Sequence, residues 1–131
     1  MPAEPLKVEN IHDTWGLYSH AVKAGNLLFI SGQVAIDPEG NIVGKGDIEA
    51  QTEQVMKNLK TILEAAGASF RDIAKITIYM VNPEHRAKFH EVRKRYFGEH
   101  KPASVLVFVK SLVHPDLLVE VEAVAVLGKG K

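Results

Sequence analysis

Apolar and polar positions alternate in the run "LLVEVEAVAVL" at 117–127. Side chains of a strand point to opposite faces in turn. Glu120, Glu122, Val124 and Val126 therefore share one face, and Val119, Val121, Ala123 and Ala125 the other. The pattern predicts a strand over 117–126 with two carboxylates on one side. "AVKAGNLLFISGQVAI" (21–36) reads as two short strands joined by a tight turn at Ala24, Gly25 and Asn26. "DPEGN" (37–41) is a second turn, with Pro and Gly where turn geometry favours them. "IAKITIYMV" (73–81) and "SVLVFV" (104–109) are further strands.

Two segments switch to the helical period. Ile48, Val55, Leu59, Ile62, Leu63 and Ala66 form one stripe over 48–66. Asp47 is placed to cap that helix, Glu49 suits its positive end, and Gly67 is a natural stop. "NPEHRAKFHEVRKRYFG" (82–98) opens with an Asn cap and a Pro at the first helical position, and ends at Gly98. Its apolar side is Phe89, Val92 and Tyr96.

Strands and helices in this order predict a two-layer α+β fold with a single domain over 1–131. Two helices can cover only one face of the sheet. Yet "LLFI", "SVLVFV" and "VAVL" are apolar on both faces. An uncovered apolar face implies a partner, so a homo-oligomer burying that second face is expected.

Composition narrows the function classes. Lys plus Arg and Asp plus Glu number 16 each in the 131 residues, a balance that argues against a general nucleic-acid or membrane-surface binder. The absence of cysteine removes a disulfide framework, a thiol nucleophile and Cys-ligated zinc. "MPAEPLKVENIHD" lacks a basic stretch followed by an apolar core, and no apolar run approaches the ~20 residues of a membrane helix. The expected protein is soluble and cytoplasmic.

Candidate chemistry is sparse. His85 and His90 lie on one helix, but five residues apart point them roughly 140° from each other, so they cannot share a metal. No other ligand spacing occurs, and no metal or cofactor is expected. Lys88, Arg93, Lys94 and Arg95 make the second helix basic, read here as a solvated face rather than a nucleic-acid site. "GKGDIEA" (44–50) lacks the pattern of a P-loop and is taken as a loop and cap. Tyr18, Ser19 and His20 precede the first strand, and Ser31 and Gly32 end the second. Such residues at strand ends suit either a pocket or ordinary turn chemistry. Glu120 and Glu122 are the sharpest anomaly. Carboxylates among apolar neighbours need a partner or a raised pKa, as a wet strand end or a cleft acid would provide. Spacing alone does not choose between the two.

Several segments together resemble the RidA/YjgF family of reactive-intermediate deaminases. They are "LYSHAVKAGNLLFISGQVAID", "DIEAQTEQVMKNLKTILEAAGAS", "KITIYMVNPEHRAKFHEVRKRYFG" and "KPASVLVFVKSLVHPDLLVEVEAVAV", spanning roughly 16–127. The resemblance implies a chorismate-mutase-like fold, a mixed sheet with two helices on one face. It also implies a homotrimer with small-molecule clefts between subunits. The implied reaction is cofactor-free hydrolysis of enamines or imines to carbonyl compounds and ammonia. By position, Tyr18 matches the pocket aromatic, Ser31 and Gly32 the strand-end backbone contacts, and Glu120 the carboxylate that positions water. Glu122 is then structural.

One departure bears on the substrate. Deaminases of this family carry Arg two residues after the Pro of "PAR", where it clamps the substrate carboxylate. Here the stretch is "PAS", Ser104 stands at that position, and no Arg follows Arg95. A hydroxyl cannot replace a bidentate guanidinium. His20 and His90 also stand where other residues are usual, and both are read as surface histidines. His90 and Ser104 join the substrate-binding candidates. The expectation is hydrolysis of a small enamine or imine other than 2-aminoacrylate. The alternatives are a non-catalytic metabolite-binding trimer and an RNA-binding, endoribonuclease-like role.

Overall fold

The computed structural model describes residues 2–128. A six-stranded mixed sheet carries two helices. The elements are β1 (Glu4–Pro5), β2 (Ala21–Ala24), β3 (Leu27–Gln33), α1 (Ile48–Ala65), β4 (Ile73–Met80), α2 (Arg86–Phe97), β5 (Ala103–Phe108) and β6 (Val119–Val126). The strands lie in the order β1-β2-β3-β6-β4-β5. All neighbours are antiparallel except β4 and β5, whose parallel pairing is bridged by α2.

The core lies between the helices and one sheet face. Leu28 and Ile30 of β3, Ile76, Ile78 and Met80 of β4, and Val119, Val121, Ala123 and Ala125 of β6 are buried there. Val55, Met56, Leu59, Ile62 and Leu63 of α1 and Phe89 and Val92 of α2 meet them. Asp47 accepts from Ala50 N at 3.1 Å and caps α1 as its sequence implied. Two buried amides tie loops to this layer. Gln51 Nε2 donates to Gly44 O and Asp116 O, and its Oε1 accepts from Leu118 N. Asn58 Nδ2 donates to Val34 O and Ile36 O.

The boundaries differ from the pattern-based ones in instructive places. Residues 82–98 are not one α-helix: Pro83–His85 form a 3₁₀ turn, because the Asn82 side chain accepts from Glu84 N at 2.9 Å and tightens the entry. The last strand begins at Val119 rather than 117. Leu117 N bonds His114 O and Leu118 N bonds the Gln51 amide, so neither N–H joins the ladder. Leu6 N bonds Ala21 O beyond the short strand β1, an edge element that no periodicity announced.

Among the described residues no layer covers the second sheet face. Phe29 is 45% exposed, Val105 43%, Val107 38% and Val126 39%, so the aliphatic end of β6 is not buried within this protomer. No helix among the described residues is long and apolar enough to cross a membrane. The basic helix is partly neutralised: Arg95 reaches Glu49 at 3.0 Å and Glu53 at 3.2 Å, and Lys88 reaches Glu91 at 3.2 Å.

Candidate active site on the open sheet face

Glu120 sits on β6, flanked by β3 and β4 and paired with Tyr79. Its position depends on an irregularity in β3. Ile30 pairs with Ala123 and Gln33 with Val121, so Ser31 and Gly32 together oppose only Glu122. This bulge inserts one residue and re-aims the strand, a device common beside active sites. Gly32 is thereby brought beneath the Glu120 side chain. A Cβ at Gly32 would lie 2.8 Å from Glu120 Cδ and closer still to Oε2. Glycine is required here because a carboxylate occupies the space of its missing side chain.

The two acids of β6 have different fates. Glu122 Oε1 accepts a hydrogen bond from the Tyr79 hydroxyl. No group among the described residues donates to the Glu120 carboxylate. Burial pushes its pKa up, and the Glu122 charge pushes it further in the same direction. A carboxylate held above its ordinary range by that environment is a stronger proton acceptor than an exposed one. It faces a cavity of about 370 Å³ whose wall includes Gly32, Tyr79, Leu112, Val113 and both acids. Tyr18 stands close enough that Glu120, after burial, raises the Tyr18 pKa. The phenol is therefore a neutral donor.

Ser31 is less available. Its hydroxyl donates to Ser19 O at 2.6 Å and its N–H to His20 O at 2.9 Å. It fixes the strand end from which Gly32 projects. His20 is not a surface residue, as read from the sequence, but is buried at 7% exposure. Its Nε2–H donates to His12 O at 2.7 Å and its Nδ1 accepts from Gln33 Nε2 at 3.1 Å. Those partners suit the neutral imidazole, and burial lowers its pKa accordingly.

Ser104 and His90 lie elsewhere. Ser104 pairs with the buried Ile76 and so faces the helix side of β5. There its Oγ accepts from the Arg93 guanidinium at 3.2 Å. His90 stands one turn before Arg93 on α2. One protomer therefore presents two groups on opposite sheet faces: Gly32, Glu120 and Tyr18 on the first, His90 and Ser104 on the second. Sequence reasoning did not name Tyr79, and it set Arg93 aside as part of a solvated basic face. Both were signalled by period: Tyr79 alternates in phase with Thr77 opposite the acids, and Arg93 lies three residues after His90 on the same helical face.

The fold and site together are an open-faced α+β sheet with a bulge-supported, half-buried carboxylate beside a cavity. The protein-family model described as endoribonuclease L-PSP matches residues 9–127. A RutC family protein of Pyrococcus horikoshii is 50% identical over 122 residues, covering 93% of this chain and 96% of that one. RidA from the Antarctic bacterium Psychrobacter sp. superposes with a TM-score of 0.87 at 34% identity, covering 95% of this chain and 99% of the other. TdcF of E. coli, solved with bound serine, superposes with a TM-score of 0.87 at 32% identity, covering 95% of this chain and 99% of the other. The chain belongs to the RidA/YjgF family.

Proposed function

We propose that the protein hydrolyses a small imine, or the enamine in equilibrium with it, to a carbonyl compound and ammonia. The observation that carries this reading is the Glu120 carboxylate: partly desolvated, without a donor, and held against Gly32 in a cavity of small-molecule size. Water adds to the carbon of the C=N bond while Glu120 accepts one of its protons. That proton returns to nitrogen to give the neutral carbinolamine. Glu120 then takes the carbinolamine hydroxyl proton and delivers it to nitrogen as the C–N bond breaks, so that ammonia leaves as the C=O bond forms. One water is consumed and Glu120 ends as it began. A carboxylate with a raised pKa suits both halves of the cycle, since it can take a proton and return it. The Tyr18 hydroxyl and the Gly32 backbone hold the substrate. The serine bound to TdcF supports a ligand with the dimensions of a small amino acid.

The same reading assigns a homotrimer. The exposed apolar residues Phe29, Val105, Val107 and Val126 on the uncovered face are the surface it would bury. Packing copies side by side would bring the Glu120 face of one protomer to the Ser104 edge of the next and complete a cleft. Cytoplasmic action follows from the same proposal.

The test is loss of an imine generated by an amino-acid oxidase and followed by semicarbazide trapping. The wild-type protein accelerates imine loss, and Glu120→Gln removes the acceleration without changing the assembly. Equal turnover by the variant would overturn the assignment of Glu120. Saturable ligand binding with no turnover by the wild type would replace the enzyme with a metabolite-binding trimer.

A further inference from the structure

Gln33 closes β3 fully buried, and both N–H groups of its side-chain amide are engaged. One faces His20 Nδ1 at 3.1 Å, and the other donates to Ser31 O at 3.2 Å. The second bond reaches the site directly. Ser31 O belongs to the planar peptide whose N–H is the Gly32 amide. Gln33 therefore holds the plane of the group that lies against Glu120. The hydroxyl and N–H of Ser31 tie the same residue to Ser19 O and His20 O, beside Tyr18.

The amide works in one sense only. Turned over, it would set Oε1 against Ser31 O, two acceptors face to face. Ser31 O thus fixes an N–H toward His20, and His20 Nδ1 must be bare to accept it. The other ring nitrogen donates to His12 O at 2.7 Å. An imidazolium would bring Nδ1–H against the Gln33 N–H, donor against donor. Gln33 would then have to turn its Oε1, which has no partner among the described residues, toward the ring and give up Ser31 O. Around the His20 ring stand His12, edge-on with centroids 4.7 Å apart, and Tyr18 at 6.1 Å. Burial does most to keep His20 neutral. The bond to the His12 carbonyl and the Asp13 charge oppose it, and the His12 imidazole reinforces it.

We infer that Gln33 is a positioning residue for Gly32 and Glu120, and that it serves only while His20 is neutral. Protonating His20 withdraws Gln33 from Ser31 O and loosens the bulge at Gly32. Acid then disables the site through its backbone, separately from protonation of Glu120. The catalytic consequence rests on the imine-hydrolase reading; the coupling itself does not.

NMR reads the coupling without turnover. Glu120→Gln serves as the background, because it removes the carboxylate's own step at Gly32. The His20 ring nitrogens and the Gly32 amide are followed from neutral pH into acid. The expected result is a bare Nδ1 at neutral pH and a Gly32 amide that shifts with the His20 midpoint. His20→Asn offers an acceptor near the place of Nδ1 and does not titrate, so it removes that step from Gly32. Gln33→Met removes it while His20 still titrates. A proton on Nδ1 at neutral pH, a Gly32 amide that ignores His20, or a step that survives either substitution would overturn the inference. The titration of the background protein alone decides it if Gln33→Met does not fold. With Glu120 intact, Gln33→Met should lower kcat/KM for imine loss on the order of tenfold at neutral pH, part of the ~100-fold that a shift of about 1 Å costs. That ratio should fall toward one below the His20 midpoint, where acid has already withdrawn Gln33 from the wild type. A ratio of one at neutral pH, or one constant across pH, would overturn the inference. A Gly32 amide that follows His20 in a protein without imine turnover would sustain the coupling and defeat the hydrolase reading. Turnover with a Gly32 amide indifferent to His20 would do the reverse.

Discussion

Replacing Gly32 by Ala separates folding from chemistry at this site. Its φ lies outside the left-handed region, so alanine meets no backbone strain. The added methyl carbon would lie 2.8 Å from Glu120 Cδ and 3.1 Å from Cγ, against about 3.5–4.0 Å for unstrained carbon contacts. The carboxylate must therefore retreat by about 1 Å. It is the far end of a flexible side chain with open cavity beside it, so retreat is structurally cheap. Alanine also restricts the unfolded chain, worth about 0.4–1 kcal/mol. The net effect on stability should lie within about 1 kcal/mol of zero. Catalysis is less forgiving, because a misplacement of about 1 Å costs on the order of 100-fold. That is about 2.7 kcal/mol of transition-state stabilisation. Urea unfolding and imine turnover on the same preparation measure both quantities. A variant with wild-type kcat/KM would refute the claim that Glu120 works from the position seen here. A variant that fails to fold would refute the claim that Gly32 serves the site rather than the fold.

Three further outcomes follow from the same geometry. Gln51→Leu strands Leu118 N and two carbonyls, Gly44 O and Asp116 O, at roughly 1–3 kcal/mol for each buried unsatisfied group, and the urea midpoint should fall accordingly. His20 has a lowered pKa in the folded state, so the unfolded chain binds its proton first. Its contribution is therefore complete above about pH 6.5, the ordinary histidine value, and is lost as pH falls below it. His20→Gln should flatten that part of the stability profile, and an unchanged slope would contradict the burial argument. Val105→Lys places a charge on the uncovered face and should reduce the sedimentation mass from that of the proposed trimer to that of a monomer, and an unchanged mass would contradict the proposal.

The fold was largely legible because its signals are periodic. β6 and α1 were visible as strict two- and 3.6-residue patterns, and the buried sides of both are the sides that their spacing indicated. The uncovered face was legible too, since β5 is apolar on both faces and the two helices can cover only one. What escaped was non-periodic. The bulge at Ser31–Gly32 depends on pairing between strands distant in sequence, and the 3₁₀ entry to α2 on one Asn82 side-chain bond. His20 looked superficial because polarity alone does not reveal that Gln33 and His12 O can satisfy it inside. The site was half legible. Glu120 stood out as a charge in an apolar strand, but its neighbour Gly32 became meaningful only through three dimensions. Arg93 stood among four other Lys and Arg residues of its helix. Only the structure distinguishes it from Arg95 and Lys88, whose charges are paired.

The most direct test of the central claim is the rate of imine loss with purified wild-type protein and with Glu120→Gln, side by side. The imine comes from an amino-acid oxidase, and semicarbazide traps what survives. Acceleration by wild type, abolished in a variant of unchanged assembly and stability, is the result that the proposed chemistry predicts. Equal imine loss with wild type, variant and buffer would contradict it, and would leave Glu120 as a buried acid in a cleft that only binds.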